Sequence, residues 1–150
     1  MRQALRYAQT LRHLRPVQIG NRIRRKLIPA RPDIRPAPDL RAALAAFAAP
    51  LPRPPRVSAD LTRFSVLNIE RGIAGASAWN DHAAPHLWRY NLHYFDDVPA
   101  GPADPHAAAF EAFIARWIAE NPPGQGAGWD PYPISLRLVN WINWALAGGM

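Results

Sequence analysis

A set of four residues in the last quarter of the chain combines the side chains that can hold a sugar acid. A guanidinium can pair with a carboxylate, a carboxamide can hydrogen-bond a hydroxyl, and indoles form flat faces for pyranose rings. The four are Arg137, Asn140, Trp141 and Trp144. Because successive helical residues are rotated by about 100°, their spacing places them on one helix face. We therefore predict that this face is a candidate substrate-binding surface.

Each of the four residues also has a structural interpretation. Arg137 could instead form an ion pair, because burying a lone guanidinium is costly. The candidate partners are Asp130, Asp96 and Asp97. Asn140 could bind a sugar hydroxyl or the backbone of residues 91–96. Large aromatics at helical spacing, such as Trp141 and Trp144, are also typical of a core. Both interpretations stay open at this level.

Two further groups extend the candidate site. Trp129 and Tyr132 lie where a Gly-rich loop meets the helix, and loop aromatics beside a groove often bind ligands. Asn91, His93 and Tyr94 form the second group, in which a His–Tyr pair could act as acid and base. If residues 87–95 are extended, as we predict, neighbouring side chains point to opposite faces. We therefore interpret His93 as a buried, hydrogen-bonded residue that orders this segment against the second helix.

Two predicted helices must position these groups. The first spans residues 104–119, with Asp104 as N-cap and Pro105 as first helical residue, and has an apolar face. The face residues are Phe110, Phe113, Ile114, Trp117 and Ile118. The second helix starts near Pro133 and ends at the glycine pair 148–149. Together they predict an antiparallel helical hairpin.

The second helix has a further apolar face, opposite Arg137. It is aliphatic, and we predict that it is the core face. Its residues are Leu138, Val139, Ile142 and Leu146. Two packed faces need more partners than this hairpin offers, so we expect further helices after Met150 and a mainly α fold. Residues 63–70 and 87–95 are predicted as short extended segments.

The chain divides into three predicted regions: a basic helical arm (1–28), a Pro-rich connector with a helical piece at 39–49 (29–60), and the start of a helical domain (61–150). The net charge is +7, and ten of the 18 basic residues lie in the first 35 positions with one acid. The arm is predicted as two short helices broken at Pro16. It could dock on the domain, contact a membrane surface or anionic glycan through residues 1–35, or bind nucleic acid, for which no motif is visible.

Several motifs resemble the N-terminal region of heparinase II/III-like proteins, the alginate-lyase or heparinase type of polysaccharide lyase. They are residues 88–96 (WRYNLHYFD), Trp117-Ile118, Asn121-Pro122, Trp129, residues 131–133 (PYP), Ser135, Arg137 and Asn140-Trp141. Residues 10–16 (TLRHLRP) with Gln18-Ile19 resemble the start of bacterial members without a signal peptide. The resemblance covers nearly the whole chain.

The resemblance implies an incomplete α/α toroid and β-elimination on uronic-acid-containing anionic polysaccharides such as glycosaminoglycans or alginate. It places the catalytic Asn, Tyr and His downstream of this chain, so we assign no catalytic residue here. A non-catalytic glycan-binding or assembly protein of the same fold, working in surface-polysaccharide production, is the alternative function.

Composition adds limits on cofactors and compartment. The chain has no cysteine, and His82, His86 and His93 lack metal-ligand spacing, so we expect no metal and no other cofactor. We also expect no nucleic-acid partner. The sequence shows neither a secretory signal nor a transmembrane stretch. This pattern favours the cytoplasm, whereas the resemblance leaves the periplasm open.

Overall fold

The computed structural model describes residues 13–28, 33–36, 38–39, 51 and 53–149. Its regular elements, in chain order, are helix α1 (Pro16–Leu27), strands β1 (Arg63–Val66) and β2 (Ile69–Gly72), a 3-10 helix (Ala76–Asn80), helices α2 (His86–Leu92) and α3 (Ala107–Glu120), a second 3-10 helix (Ala127–Trp129) and helix α4 (Pro131–Leu146). The mainly α prediction is confirmed. The helix predicted before Pro16 and most of the helical piece at 39–49 lie outside the described residues.

The chain forms two compact units, residues 1–36 and 37–150. In the first, α1 begins at Pro16 as predicted, because proline is well suited to the first turn of a helix. No residue of α1 is buried. Among the described helices of both units, none is long and apolar enough to cross a membrane.

Residues 63–72 form a hairpin, whereas the sequence pattern predicts one strand over 63–70. β1 and β2 pair antiparallel, with Arg63 opposite Gly72 and Val66 opposite Ile69. The chain reverses at Leu67 and Asn68, which both have positive φ angles of 56° and 58°. This is the backbone conformation of a tight hairpin turn, and Asn tolerates it better than most residues.

The prediction that residues 87–95 are extended is wrong, because most of them form α2. Trp88 and Leu92 are one helical turn apart and both are buried, with exposed fractions of 1% and 0%. After Leu92 the helix ends, and His93 to Phe95 turn the chain, with Phe95 at a φ of 55°. The alternation of aromatic and polar residues is compatible with a strand as well as with a helix. The burial of both Trp88 and Leu92, four residues apart, favours the helix.

Helix α3 begins later than predicted, at Ala107. The Asp104 carboxylate accepts hydrogen bonds from the backbone N–H groups of His106 (2.9 Å) and Ala100 (3.1 Å), so it stabilises the turn before the helix. The predicted apolar face is buried, except that Ile118 is 60% exposed. Helix α4 begins at Pro131, two residues before the predicted start.

The buried face of α4 is the reverse of the predicted one. The aliphatic residues predicted as core are 46–56% exposed: Leu138, Val139, Ile142 and Leu146. The buried residues of this helix are Pro133, Arg137 and Trp144. They pack into a largely aromatic core in which Phe110, Phe113 and Trp117 of α3 meet Phe95. Shape and ring stacking against these neighbours select the indole face, and hydrogen bonds from Arg137 and Asn140 offset the cost of burying their polar groups.

Candidate functional site

Arg137 is enclosed by three indoles. Its guanidinium carbon lies 3.9 Å from the ring centre of Trp117 and 5.5 Å from those of Trp129 and Trp141. Nη1 donates a 2.7 Å hydrogen bond to the carbonyl of Gly128, and the residue is 3% exposed. Aromatic faces and a carbonyl thus take the place of an anion beside this cation. Burial lowers the pKa of Arg137 to about 10, which leaves it charged at neutral pH.

The predicted aspartate partners of Arg137 pair elsewhere. Within the described part of the chain, no aspartate forms an ion pair with Arg137. Asp96 forms a 2.9 Å ion pair with Arg56, and Asp97 accepts a 2.8 Å hydrogen bond from the Arg56 backbone N–H. Burial raises the pKa of Asp97. These two carboxylates therefore anchor the segment around Arg56 to the chain that follows α2.

His93 is fully buried and hydrogen-bonded through both ring nitrogens. Nδ1 lies 2.8 Å from Nε1 of Trp117, and Nε2 lies 3.0 Å from the carbonyl of Trp79. An indole N–H only donates, so Nδ1 must accept and Nε2 must carry the proton. Burial, followed by the neighbouring charge of Arg137, lowers the pKa of His93 to about 4. The prediction of a buried, hydrogen-bonded histidine is confirmed, but its partners are Trp79 and α3 instead of α4.

The predicted indole platform lies in the core. Trp144 is 0% exposed and packs edge-on against Phe110, with ring centres 5.6 Å apart. Trp141 packs edge-on against Phe95 (5.3 Å), and Trp129 lies against Trp117 (5.6 Å). Trp129 and Trp141 are partly buried. These three side chains support the surface from beneath and offer little free ring face to a ligand.

Both predicted carboxamides bind protein groups. Asn140 donates a 2.8 Å hydrogen bond to the carbonyl of Tyr94, which is the backbone role proposed as one of its two interpretations. Asn91 donates to the carbonyl of Leu87 (2.8 Å), and its oxygen accepts from Arg56 (3.4 Å). Asn140 therefore ties α4 to the turn after α2.

One group of polar and aromatic side chains extends from the core to the surface, and we call it the tyrosine cluster. It consists of Tyr90, Tyr94, Asp130 and Tyr132. Tyr132 is 60% exposed, and its ring meets that of Tyr94 edge-on at 5.7 Å and 84°. The Tyr90 hydroxyl donates to the Asp130 carboxylate. The Tyr94 hydroxyl is buried and has no hydrogen-bond partner among the described residues.

Sequence reasoning found Tyr94 and Tyr132 but not Tyr90 and Asp130. Tyr90 lies one turn before Tyr94, and Asp130 directly precedes the first residue of α4, so helical spacing could have linked them. The bond to Asp130 raises the pKa of Tyr90, and burial raises that of Tyr94 to about 12. Both phenols are therefore hydrogen-bond donors at neutral pH, and neither is a ready base.

Two other features bear on chemistry. A cavity of ≈ 260 Å³ between the segment around Val57 and the start of α3 has Asp97, His106 and Phe110 among its lining residues. It shares no residue with the tyrosine cluster. Throughout residues 13–28 and 53–149 and the few described residues between them, no three His, Asp or Glu side chains are grouped as metal ligands would be.

Comparison with known proteins gave no match to a family model, to a curated protein or to a solved structure.

Proposed function

We propose that this chain binds uronic-acid-containing anionic polysaccharides through the tyrosine cluster, as the N-terminal part of a heparinase II/III-like lyase. The observation that carries the proposal is the exposed Tyr132 ring, held edge-on by Tyr94, beside the Tyr90–Asp130 pair. A sugar unit needs an apolar ring face together with donors and acceptors for its hydroxyls. Tyr132 supplies the face and the partly buried Asp130 carboxylate supplies an acceptor.

The buried charge of Arg137 supports an anionic ligand. Arg137 bonds the Gly128 carbonyl, and Trp129 in its indole cage directly precedes Asp130. Arg137 therefore positions the segment that carries Asp130 and Tyr132. No carboxylate among the described residues neutralises its charge, and a charge in a low-dielectric interior acts strongly on nearby groups. This field favours a uronate carboxylate over a neutral sugar and opposes the repulsion from the Asp130 carboxylate.

The proposed reaction is β-elimination, which needs two protein functions. One group must neutralise the uronate carboxylate, and another must remove the adjacent C5 proton and protonate the leaving oxygen. His93 is buried and neutral, and Tyr94 keeps its proton. We therefore assign binding to the described residues and assign proton transfer to none of them.

A non-catalytic glycan-binding or assembly protein is the second candidate. The observation that favours it is the same enclosure of His93, since both ring nitrogens of this predicted site histidine are engaged by Trp79 and Trp117 and it is unavailable as a base. Ultraviolet absorbance distinguishes the two functions. A lyase makes 4,5-unsaturated uronates that absorb, whereas a binder retains the polymer unchanged.

The finer fold proposal is an incomplete α/α toroid that includes α3 and α4. The exposed aliphatic residues of α4 support it, because such a stripe is suited to packing against a further helix. The proposed toroid does not include an extended aromatic segment at 87–95, because most of these residues form α2.

The experiment is a binding titration of the intact protein with heparin-like and alginate-like polymers and with a neutral glucan. Tyr132→Ala should weaken uronate binding about tenfold, or about 1.4 kcal/mol, without loss of stability. Leu138→Ala, at 49% exposure on the same helix, is the matched control and should bind normally. Equal affinity of Tyr132→Ala and the unchanged protein would remove the tyrosine cluster from the proposal.

A further inference from the structure

Helix α1 carries an exposed apolar stripe. Ile19, Ile23 and Leu27 repeat every four residues, so they follow one line along the helix. Ile23 is 54% and Leu27 74% exposed, and α1 has no buried residue. Such a stripe on a water-exposed helix is stabilised when an apolar environment covers it.

The same helix is strongly basic. Its cations are Arg22, Arg24, Arg25 and Lys26, and residues 13–28 contain no acid. At about 100° per residue, Lys26 and Arg22 lie on one side of the apolar stripe and Arg24 lies on the other. Long basic side chains in these positions can extend to charged headgroups while the stripe enters the apolar boundary.

We propose that α1 docks in the plane of an anionic lipid surface, with Ile19, Ile23 and Leu27 in the acyl boundary and its cations on the headgroups. The combination of stripe and charge selects this partner. A soluble polyanion, either nucleic acid or glycan, would pair with the cations but would leave Ile23 and Leu27 in water. An anionic bilayer satisfies both features.

The length of α1 agrees with this geometry. Twelve residues at about 1.5 Å each form a helix of about 18 Å. This is shorter than the roughly 30 Å hydrocarbon core, so the helix lies on the membrane and does not span it. Isolated helices of this length are marginal in water, and binding should raise the helix content.

The test is co-sedimentation of the intact protein with phosphatidylcholine vesicles that contain phosphatidylglycerol at about 30 mol%. The protein should bind these vesicles, and binding to pure phosphatidylcholine should be at least about tenfold weaker. The double variant Ile23→Ser/Leu27→Ser should lose about tenfold in vesicle affinity. Val17→Ser is the matched control, since Val17 is 63% exposed but lies about 120° from the stripe. Circular dichroism of each variant verifies that the fold is kept.

A charge variant completes the test. Arg22→Gln/Arg24→Gln should weaken vesicle binding, whereas Arg63→Gln, 61% exposed outside α1, should not. If Ile23→Ser/Leu27→Ser binds vesicles as well as the unchanged protein, the contact is electrostatic alone and the lipid proposal is wrong. Absence of binding to anionic vesicles also overturns it. Neither outcome alters uronate binding by the tyrosine cluster, which the Tyr132→Ala titration measures separately.

Discussion

The Nε1–H of Trp117 donates a 2.8 Å hydrogen bond to Nδ1 of His93. This bond fixes the tautomer of a fully buried imidazole, because the indole N–H can donate a hydrogen bond but cannot accept one. It also joins α3 to the turn after α2, while Nε2 joins that turn to the 3-10 helix that contains Trp79. His93 is thus a central connection of the aromatic core, and its protonation would break one of these two hydrogen bonds.

The free energy of unfolding should fall as the pH drops from about 6.5 to about 4. The unfolded imidazole takes up a proton near its ordinary pKa of 6.5, whereas the folded one does so only near 4. Because the unfolded state binds more protons in this window, acid favours unfolding, by up to about 3 kcal/mol. Urea unfolding at several pH values measures this loss.

His93→Gln is the control for the pH prediction, since an amide can donate and accept without titrating. Its stability should depend less on pH between 6.5 and 4. Nuclear magnetic resonance of the His93 ring protons provides an independent reading. A midpoint near 6.5 in the folded protein would contradict the assigned burial and tautomer.

Gly128→Ala should destabilise the protein. An added Cβ would lie 2.6 Å from Nδ1 of His93 and 2.9 Å from the Trp117 ring, both held in the core. Forcing extra volume into a packed core costs about 1–3 kcal/mol. Thermal unfolding should show a lower Tm. In Gly72→Ala the nearest atom is 4.0 Å away, so this control should keep a Tm close to that of the unchanged protein.

Arg137→Met should lower stability by about 1–3 kcal/mol, because the Gly128 carbonyl loses its donor and three indoles lose their cation. Arg71→Met is the matched control. Arg71 also lies over an indole, at 5.8 Å from Trp88, but its side chain is 33% exposed, so the loss should stay below about 1 kcal/mol. Denaturant titration compares the two.

The same variant separates structure from binding. If Arg137 positions the Asp130–Tyr132 segment and supplies its field, uronate affinity should fall at temperatures where Arg137→Met stays folded. Unchanged affinity in a folded Arg137→Met protein would mark Arg137 as a core residue alone.

Ile142→Glu tests the proposed further helical layer. Ile142 is 55% exposed on α4, and a covered position should not tolerate a carboxylate. The intact protein should therefore lose several degrees of Tm with this change. Leu87→Glu, at the same 55% exposure on α2, is the control and should be neutral. If both variants melt like the unchanged protein, the stripe is an open surface and the toroid proposal loses its support.

Local patterns predicted the elements whose signals lie within a few residues. The apolar face of α3 follows helical spacing, and Pro16 stands at the first position of α1. The hairpin was missed because its reversal is at Leu67, a residue that seldom adopts a positive φ. α2 was missed because its aromatic residues also alternate.

The candidate site was predicted only in part, because its residues acquire their roles from distant neighbours. Tyr94 and Tyr132 do meet, across 38 positions of sequence. Arg137, in contrast, has indoles and a carbonyl as partners, and no local pattern distinguishes these from an aspartate. Tyr90 was not singled out and Asp130 was considered only as an ion-pair partner of Arg137, since no local pattern links a tyrosine to an aspartate 40 positions away.

The sequence by itself determined that the chain is mainly helical, that its cations cluster in the first 35 residues, and that α4 has one aliphatic face and one face of indoles and polar groups. Only the tertiary structure decided which face of α4 is buried. Hydrophobicity alone favours the aliphatic face, because burying Arg137 and Asn140 is costly without partners, so it could not select the observed face. Close packing did, because the rings of Phe95, Phe110 and Trp117 accommodate Trp141, Trp144 and the guanidinium of Arg137 and leave the aliphatic stripe outside.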